Sequence, residues 1–269
     1  MRVRLNAIGA GLAALTAGLA ASKAAAELVG APTSGGIGFL PANSENADDI
    51  FWFHNWILLP VIIGISLLVL ALIVYIVWRF NETANPQPSR RTHNGLLEFA
   101  WTVAPALLLV IIAVPSFRLL AAQLIIPAPD LTLKVTASQW HWNYGYPKSE
   151  GGFAFDSLYV EDKDLKPGQP RVITADHEMV VPVGKVIEVD VTSQDVIHSF
   201  SVPSFGIKID AIPGRLNKTW FKAEHEGLFY GQCSNICGID HAFMPINVRV
   251  VSQPDYEKWL VEAKKEFAS

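Results

Sequence analysis

Two long uncharged segments constrain this chain more than any other feature of its sequence. Residues 50–78 form a run of 29 without a formal charge, and residues 99–117 form a second run of 19. A helix of about 20 apolar residues is enough to cross a hydrocarbon core of roughly 30 Å. The first run has aromatic residues towards both ends, where membrane–water interfaces favour them, namely Trp52, Trp56, Tyr75 and Trp78. The sequence therefore predicts two transmembrane helices, over residues 50–79 and 96–122.

A third apolar stretch lies at the N-terminus. Arg2 and Arg4 precede a short core rich in Ala, Leu and Gly, which ends in three alanines at 24–26. This pattern is typical of a secretory signal peptide, so residues 1–26 are expected to be removed. The alternative is a third membrane span, which is disfavoured because Ala/Gly-rich sequence inserts weakly and the flanks fit cleavage. Residues 27–49 would then form an external N-terminal segment.

The charge of the connecting loop predicts the orientation of the two helices. The loop at 80–95, together with the helix end before it, carries three arginines and one acidic residue, namely Arg79, Arg90, Arg91 and Glu82. Loops rich in Lys and Arg stay in the cytoplasm. The mature N-terminus and everything after the second helix are therefore expected outside.

After residue 123 the sequence changes to short β-branched and aromatic runs. Residues 186–191 alternate as a half-buried strand does, and Pro and Gly separate the runs. Many short strands with turn signals indicate a β-sandwich or small barrel. The predicted strands are 131–135, 179–183, 186–192, 219–221, 228–232 and 246–251. A last helix is predicted from Pro254, with one apolar face formed by Tyr256, Trp259, Leu260, Ala263 and Phe267.

Metal-binding side chains are concentrated directly after one of these strands. Cys233, Cys237, His241 and Met244 lie within twelve residues, and His198 lies 35 residues upstream, at the end of a strand-like run. Thiolate, imidazole and a weak thioether together favour copper. A second thiolate could bridge to a second copper ion. The peptide carbonyl of Asn235, between the cysteines, could then complete the coordination.

Other interpretations of these residues remain open at this point. A Cys-x3-Cys pair in an oxidising compartment could form a disulfide, which would leave His241 and Met244 unexplained. Zinc could bind two Cys and two His, but structural zinc sites rarely use Met. His198 alone would be an ordinary core histidine.

The loop that carries these residues resembles that of a known family. Residues 231–245, GQCSNICGIDHAFMP, resemble the dinuclear copper (CuA) loop of cytochrome c oxidase subunit II. The similarity extends to the two spans, to Thr92-His93-Asn94 and to the Trp-rich segment 139–146. It implies a two-helix transmembrane hairpin followed by an all-β cupredoxin-like barrel, over residues 123–269, and a short C-terminal helix.

The resemblance also implies the ligands and partners. Cys233 and Cys237 would bridge two copper ions, and the remaining ligands would be His198, His241, Met244 and the Asn235 carbonyl. The chain would lie in the inner (cytoplasmic) membrane with both termini in the periplasm. Its partners would be oxidase subunits I and III and cytochrome c, and no nucleic acid is expected. Electrons from cytochrome c would pass through this chain to haem in subunit I, where oxygen is reduced.

Two further residues acquire expected roles from the resemblance. Trp140 matches the surface aromatic at which cytochrome c delivers its electron, and Glu98 matches an acidic residue that helps protons enter subunit I. Without the family, Trp140 would be a core aromatic of a strand and Glu98 an ordinary interfacial charge.

The chain departs from the family pattern at two positions. Asn235 stands where a Glu usually helps to bind magnesium at the contact with subunit I, so magnesium binding is in doubt. Ser138 stands where a His usually precedes the first Trp. Neither change removes an implied copper ligand.

The predicted β-domain is acidic. Residues 123–269 carry 14 Lys and Arg against 19 Asp and Glu, a net charge of −5 that would steer a basic partner or serve solubility.

Two rival functions are considered for the chain. One is subunit II of a quinol oxidase, which lacks the copper ligands. The other is a membrane-anchored copper carrier, which would bind a single copper.

Overall fold

The computed structural model describes residues 30–267 and contains three long helices, four short 3-10 helices and ten strands in that range. The predicted signal peptide lies outside the described residues. Two long helices, α1 (Glu45–Arg79) and α2 (Gly95–Leu124), precede the strands, and α3 (Gln253–Phe267) follows them. The described chain therefore has the predicted order of a helical hairpin, a β-domain and a C-terminal helix.

Both long helices extend beyond the uncharged runs because polar residues cap them. Ser44 accepts a hydrogen bond from the Ala47 N–H at 3.1 Å, so α1 begins at Glu45, inside the segment expected to precede the helix. Asn94 accepts from the Leu97 N–H at 3.2 Å and starts α2. α1 contains one π-helical turn, His54–Leu58, and α2 continues through two prolines.

The two helices are apolar enough to cross a membrane. The most apolar stretch of each has no buried residue, and its mean hydropathy is 3.2 in α1 and 2.2 in α2. Such a large exposed area of Leu, Ile and Val side chains requires contact with lipid or with a partner helix, since the surfaces of soluble proteins rarely carry apolar areas of this size.

The β-domain is a sandwich of two five-stranded sheets. The first sheet has the order β3-β2-β1-β5-β8 and the second β4-β10-β9-β6-β7. Strands β1 and β5, and β4 and β10, pair in parallel, and the other pairs are antiparallel. The strands are β1 (Leu131–Ser138), β2 (His141–Gly145), β3 (Ala154–Ser157), β4 (Met179–Pro182), β5 (Val186–Ser193), β6 (His198–Val202), β7 (Ile207–Ala211), β8 (Asn217–Lys222), β9 (Gly227–Cys233) and β10 (Pro245–Val251).

The core lies between the sheets and is rich in aromatic side chains. Its largest fully buried members include Trp142, Tyr144, Phe200 and Phe229. Helix α3 covers one end of the sandwich, as its predicted apolar face requires: Tyr256, Leu260 and Ala263 are buried, and Trp259 and Phe267 pack against the core.

One local prediction was wrong. His198 was expected to end a strand, but it is the first residue of β6, and residues 194–197 form a turn. The Ser193 hydroxyl closes the turn, because it accepts from the Asp195 N–H at 3.2 Å and donates to the Val196 carbonyl at 2.5 Å. The turn directs the His198 side chain into the domain, where it is fully buried.

Candidate metal centre

Two adjacent strands bring the predicted ligands together. β6 begins at His198 and β9 ends at Cys233, and the two strands pair antiparallel with Phe200 opposite Cys233. The loop after β9 then folds back to β10, and the Cys233 N–H donates to the Met244 carbonyl at 3.1 Å. The ligands from the two strands and the loop therefore meet at one end of the sandwich.

The soft donor atoms form a tight cluster. The two cysteine sulfurs are 3.8 Å apart, and His198 Nδ1 lies 3.9 Å from Cys233 Sγ. His241 Nδ1 lies 3.5 Å from Cys237 Sγ. Both cysteines are free thiols, whereas a disulfide requires a sulfur separation of about 2.05 Å. The arrangement is that of a ligand set and not of a disulfide.

The Asn235 carbonyl oxygen borders the same cluster, and the Met244 backbone adjoins it. The Asn235 carbonyl oxygen lies 3.4 Å from Cys233 Sγ, so the peptide between the cysteines turns towards the sulfur. The Met244 side chain is fully buried, and its carbonyl also accepts from Trp142 Nε1 at 3.4 Å. Two thiols, two imidazoles, a buried thioether and a carbonyl suit copper, because soft sulfur and imidazole donors favour it over harder ions.

Proton affinities at the cluster are shifted by its burial and hydrogen bonds. Burial raises the pKa of the Cys233 thiol, but hydrogen bonds from His198 and from the backbone outweigh it and lower the pKa to about 6. Burial and the negative charge of Cys233 raise the pKa of Cys237 to about 12. The cluster therefore favours one thiolate, and the second thiol must release its proton when a metal binds.

Asp195 orients the His198 ring, a role that the sequence did not indicate. Its Oδ1 lies 2.9 Å from His198 Nε2, which leaves Nδ1 facing Cys233. A carboxylate behind a ligating His fixes the tautomer and the ring orientation. The signal in the sequence was the Asp three residues before the His.

Trp140 lies beside the metal-binding loop. It is partly buried against the core, and a Cβ atom at Gly238 would be 2.8 Å from Trp140 Cζ2. The neighbouring Gln139 side chain donates to the Cys237 carbonyl at 2.8 Å. Trp142 and Tyr144, by contrast, are fully buried core residues. Trp140, in the turn between β1 and β2, is thus the aromatic residue of the segment 139–146 that combines partial exposure with contact to the loop.

Glu98 lies far from this cluster, in the first turn of α2. Its Oε1 is 2.8 Å from His93 Nδ1 and accepts from the Asn94 N–H at 3.1 Å. The β-domain is attached at the other end of α2, and the helix from Glu98 to Leu124 spans roughly 39 Å at 1.5 Å per residue. The structure therefore separates Glu98 from the candidate metal centre.

Comparisons with known proteins agree with the fold. The family model described as the transmembrane domain of cytochrome C oxidase subunit II matches residues 32–119. The one described as its periplasmic domain matches residues 131–251. The chain is thus a membrane-anchored component of a respiratory oxidase with a cupredoxin-like domain.

Individual relatives match over most of their length. Cytochrome c oxidase subunit 2 of Cereibacter sphaeroides is 46% identical over 271 residues, which cover 95% of this chain and 89% of the relative. A probable cytochrome c oxidase subunit 2 of Rickettsia bellii is 45% identical, covering 87% of this chain and 86% of the relative. The crystal structure of the periplasmic domain of oxidase subunit II (CoxB) of Bradyrhizobium japonicum is 58% identical. The match covers 53% of this chain and 99% of the crystallised chain, with a TM-score of 0.50.

The chain belongs to the cytochrome c oxidase subunit II family. It is a membrane protein with two spans and a member of a haem–copper oxidase complex.

Proposed function

We propose that this chain accepts electrons from reduced cytochrome c at a dinuclear copper centre and delivers them to haem in subunit I. Cys233 and Cys237 would bridge the two ions. The other ligands would be His198, His241, Met244 and the Asn235 carbonyl. Copper bound in this way supplies a site that takes up and releases one electron. Oxygen reduction would belong to subunit I.

One observation carries the proposal: two thiols, two imidazole nitrogens and the Asn235 carbonyl converge within hydrogen-bond range at the end of paired strands. A single copper of the blue type needs only one thiolate. The second cysteine and its carbonyl neighbour are explained by a second ion. The pairing of β6 with β9 holds the ligands in place, which favours electron transfer without large rearrangement.

Trp140 is the proposed site at which the electron arrives. Its ring packs on the loop that carries Cys237, so its exposed part and the metal ligands are only a few bonds and contacts apart. Acidic side chains of the domain would attract a basic cytochrome c.

The orientation follows from the arginines of the loop between α1 and α2. With that loop in the cytoplasm, the chain would lie in the inner membrane with both termini in the periplasm. Subunits I and III would cover the exposed faces of α1 and α2. Glu98 would then lie on the cytoplasmic side, where it would assist proton entry to subunit I. Asn235 lacks the carboxylate for a magnesium ion, so we do not expect this residue to bind one.

The test is stopped-flow oxidation of reduced cytochrome c by the purified oxidase complex. We expect Trp140→Ala to slow this reaction by at least about tenfold, because truncation of an aromatic residue at the centre of an interface typically costs that much in binding. The copper spectrum should stay unchanged. Trp259→Ala, which removes an equally large and partly buried ring remote from the loop, is the matched control. Equal rates in both variants, or turnover with quinol in place of cytochrome c, would contradict the proposal.

A further inference from the structure

Asn43 ties the segment before α1 to the β-domain. Its side chain is 1% exposed and makes two hydrogen bonds to the backbone of His225. Nδ2 donates to the His225 carbonyl at 3.0 Å, and Oδ1 accepts from the His225 N–H at 2.8 Å. Its backbone N–H donates to the Ser204 carbonyl at 2.7 Å, and its carbonyl accepts from the Glu224 N–H at 3.2 Å. Every polar group of this residue is thus used in a contact with the β-domain.

Ser44 continues the attachment into the helix. Its hydroxyl donates to the Phe205 carbonyl at 2.8 Å and also accepts from the Ala47 N–H as the N-cap of α1. Ala47 is fully buried against Gly206, where an added Cβ would lie 2.9 Å from the Ala47 backbone. Asn43 and Ser44, hereafter the anchor, therefore join the first turn of a membrane helix to the sandwich with close packing.

The anchored loops lie at the far ends of the two strands that hold metal ligands. β6 runs from His198 to Val202 and leads into the turn at 203–206. β9 starts directly after the loop at 223–226 and ends at Cys233. With a rise of about 3.3 Å per residue, strands of five and seven residues place the ligands roughly 15–25 Å from the anchor.

The membrane helices have one covalent connection to the β-domain. Residues 125–130 join α2 to β1 and form neither helix nor strand. A single irregular connection allows relative motion of the parts that it joins. The anchor adds a second attachment at another place on the sandwich, and two attachments fix an orientation that one does not.

We propose that Asn43 and Ser44 are positioning residues, which hold the copper-bearing strands at a fixed height and tilt over the membrane helices. The proposal rests on the proposed function. In that setting the anchor affects electron transfer out of the site, because small displacements of reacting centres cost large factors in rate. Electron arrival from a diffusing cytochrome c, which docks on the domain itself, does not depend on it.

The test compares two steps in the full oxidase complex carrying Asn43→Ala. We expect reduction of the site by cytochrome c to be unchanged and transfer from the site to haem in subunit I to be severalfold slower. Asn217→Ala is the matched control, since Asn217 donates to the Asp210 carbonyl at 2.6 Å entirely within the β-domain. Ser44→Gly is the second variant, because glycine still caps a helix but cannot donate to Phe205.

A distance measurement tests the positioning without using copper. Nitroxide side chains are introduced at Asn85, between α1 and α2, and at the exposed Leu216 of the β-domain. We expect pulsed EPR to give one narrow distance distribution in the unmutated anchor background and a broad or shifted one with Asn43→Ala or Ser44→Gly.

The outcomes separate the two proposals. An unchanged distance distribution in both anchor variants overturns the positioning role, whatever the metal content. An altered distribution with an unchanged rate of transfer to haem overturns the kinetic role of the anchor. Absence of copper, or of cytochrome c oxidation, in the complex with an intact anchor contradicts the proposed function instead.

Discussion

Asp195 connects the two sides of the candidate metal centre at the scale of single residues. One of its carboxylate oxygens lies 2.9 Å from His198 Nε2, and the other accepts from the Gln139 N–H at 2.6 Å. Gln139 precedes Trp140 and bonds the Cys237 carbonyl. A single acidic side chain thus holds a ligand ring, the aromatic turn and, through Gln139, the metal-binding loop in register.

Replacement of Asp195 is expected to weaken copper binding although the residue is not a ligand. In Asp195→Ala the His198 Nε2–H loses its acceptor and the ring its orientation, so copper affinity should fall by about 10- to 100-fold. A competition titration of the isolated β-domain against a chelator measures this. Asp162→Ala, which removes an exposed carboxylate that contacts Arg171 and Tyr159, is the control. Equal affinities in the two variants would show that β6 and the packing around His198 orient its ring without Asp195.

At the scale of elements, the close approach of β6 and β9 determines the geometry of the site. Gly231 makes this approach possible: a Cβ atom there would lie 2.1 Å from the Ser201 carbonyl oxygen. No side chain fits at that separation, so any substitution must push β9 away from β6. His198 and Cys233, one on each strand, would then move apart.

Gly231→Ala is therefore expected to lower both stability and metal binding. We expect the free energy of unfolding of the β-domain to fall by about 3 kcal/mol, the upper range for overpacking a core. Chemical denaturation checks this, and copper binding should weaken in parallel. Gly145→Ala is the control, because a Cβ there would meet the Lys134 side chain at an ordinary 3.6 Å. If both variants unfold at the same denaturant concentration, the strands separate without cost and the argument is wrong.

The sequence predicted the elements better than their junctions. The uncharged runs indicated both long helices, and the alternation at 186–191 indicated β5, because burial of one face imposes these periods. Strands β2, β3 and β7 were not predicted, and His198 was placed at the wrong end of a strand. Strands β3 and β7 are short edge strands of four and five residues, which give little periodic signal. The start of β6 depends on a contact distant in sequence, because Phe200 pairs with Cys233.

The same limit applied to the candidate site. The loop at 233–244 contains four of the proposed side-chain ligands in one short segment, so residue types and spacing sufficed to predict them. His198 could be predicted only together with this set, since a lone histidine carries little information. Asn43 and Ser44 were not predicted at all, because their partners lie more than 160 residues away and are backbone groups.

At the scale of the whole molecule, the β-domain carries an acidic excess. From residue 123 onward the net charge is −5. If this charge steers a basic cytochrome c, the second-order rate constant for its reaction with the oxidase should fall by about tenfold or more from low to high ionic strength. Stopped-flow measurements over a salt series check this. A rate constant independent of salt would assign the acidic residues to solubility alone.

The most direct test of the central claim is the copper content of residues 123–269, combined with the EPR spectrum. The isolated domain is a reasonable sample because the corresponding domain of the Bradyrhizobium japonicum relative crystallised. Two bridging thiolates predict two copper ions per chain and one unpaired electron shared equally between both nuclei. One copper with an ordinary mononuclear signal, or none, would contradict the dinuclear centre and favour a copper carrier.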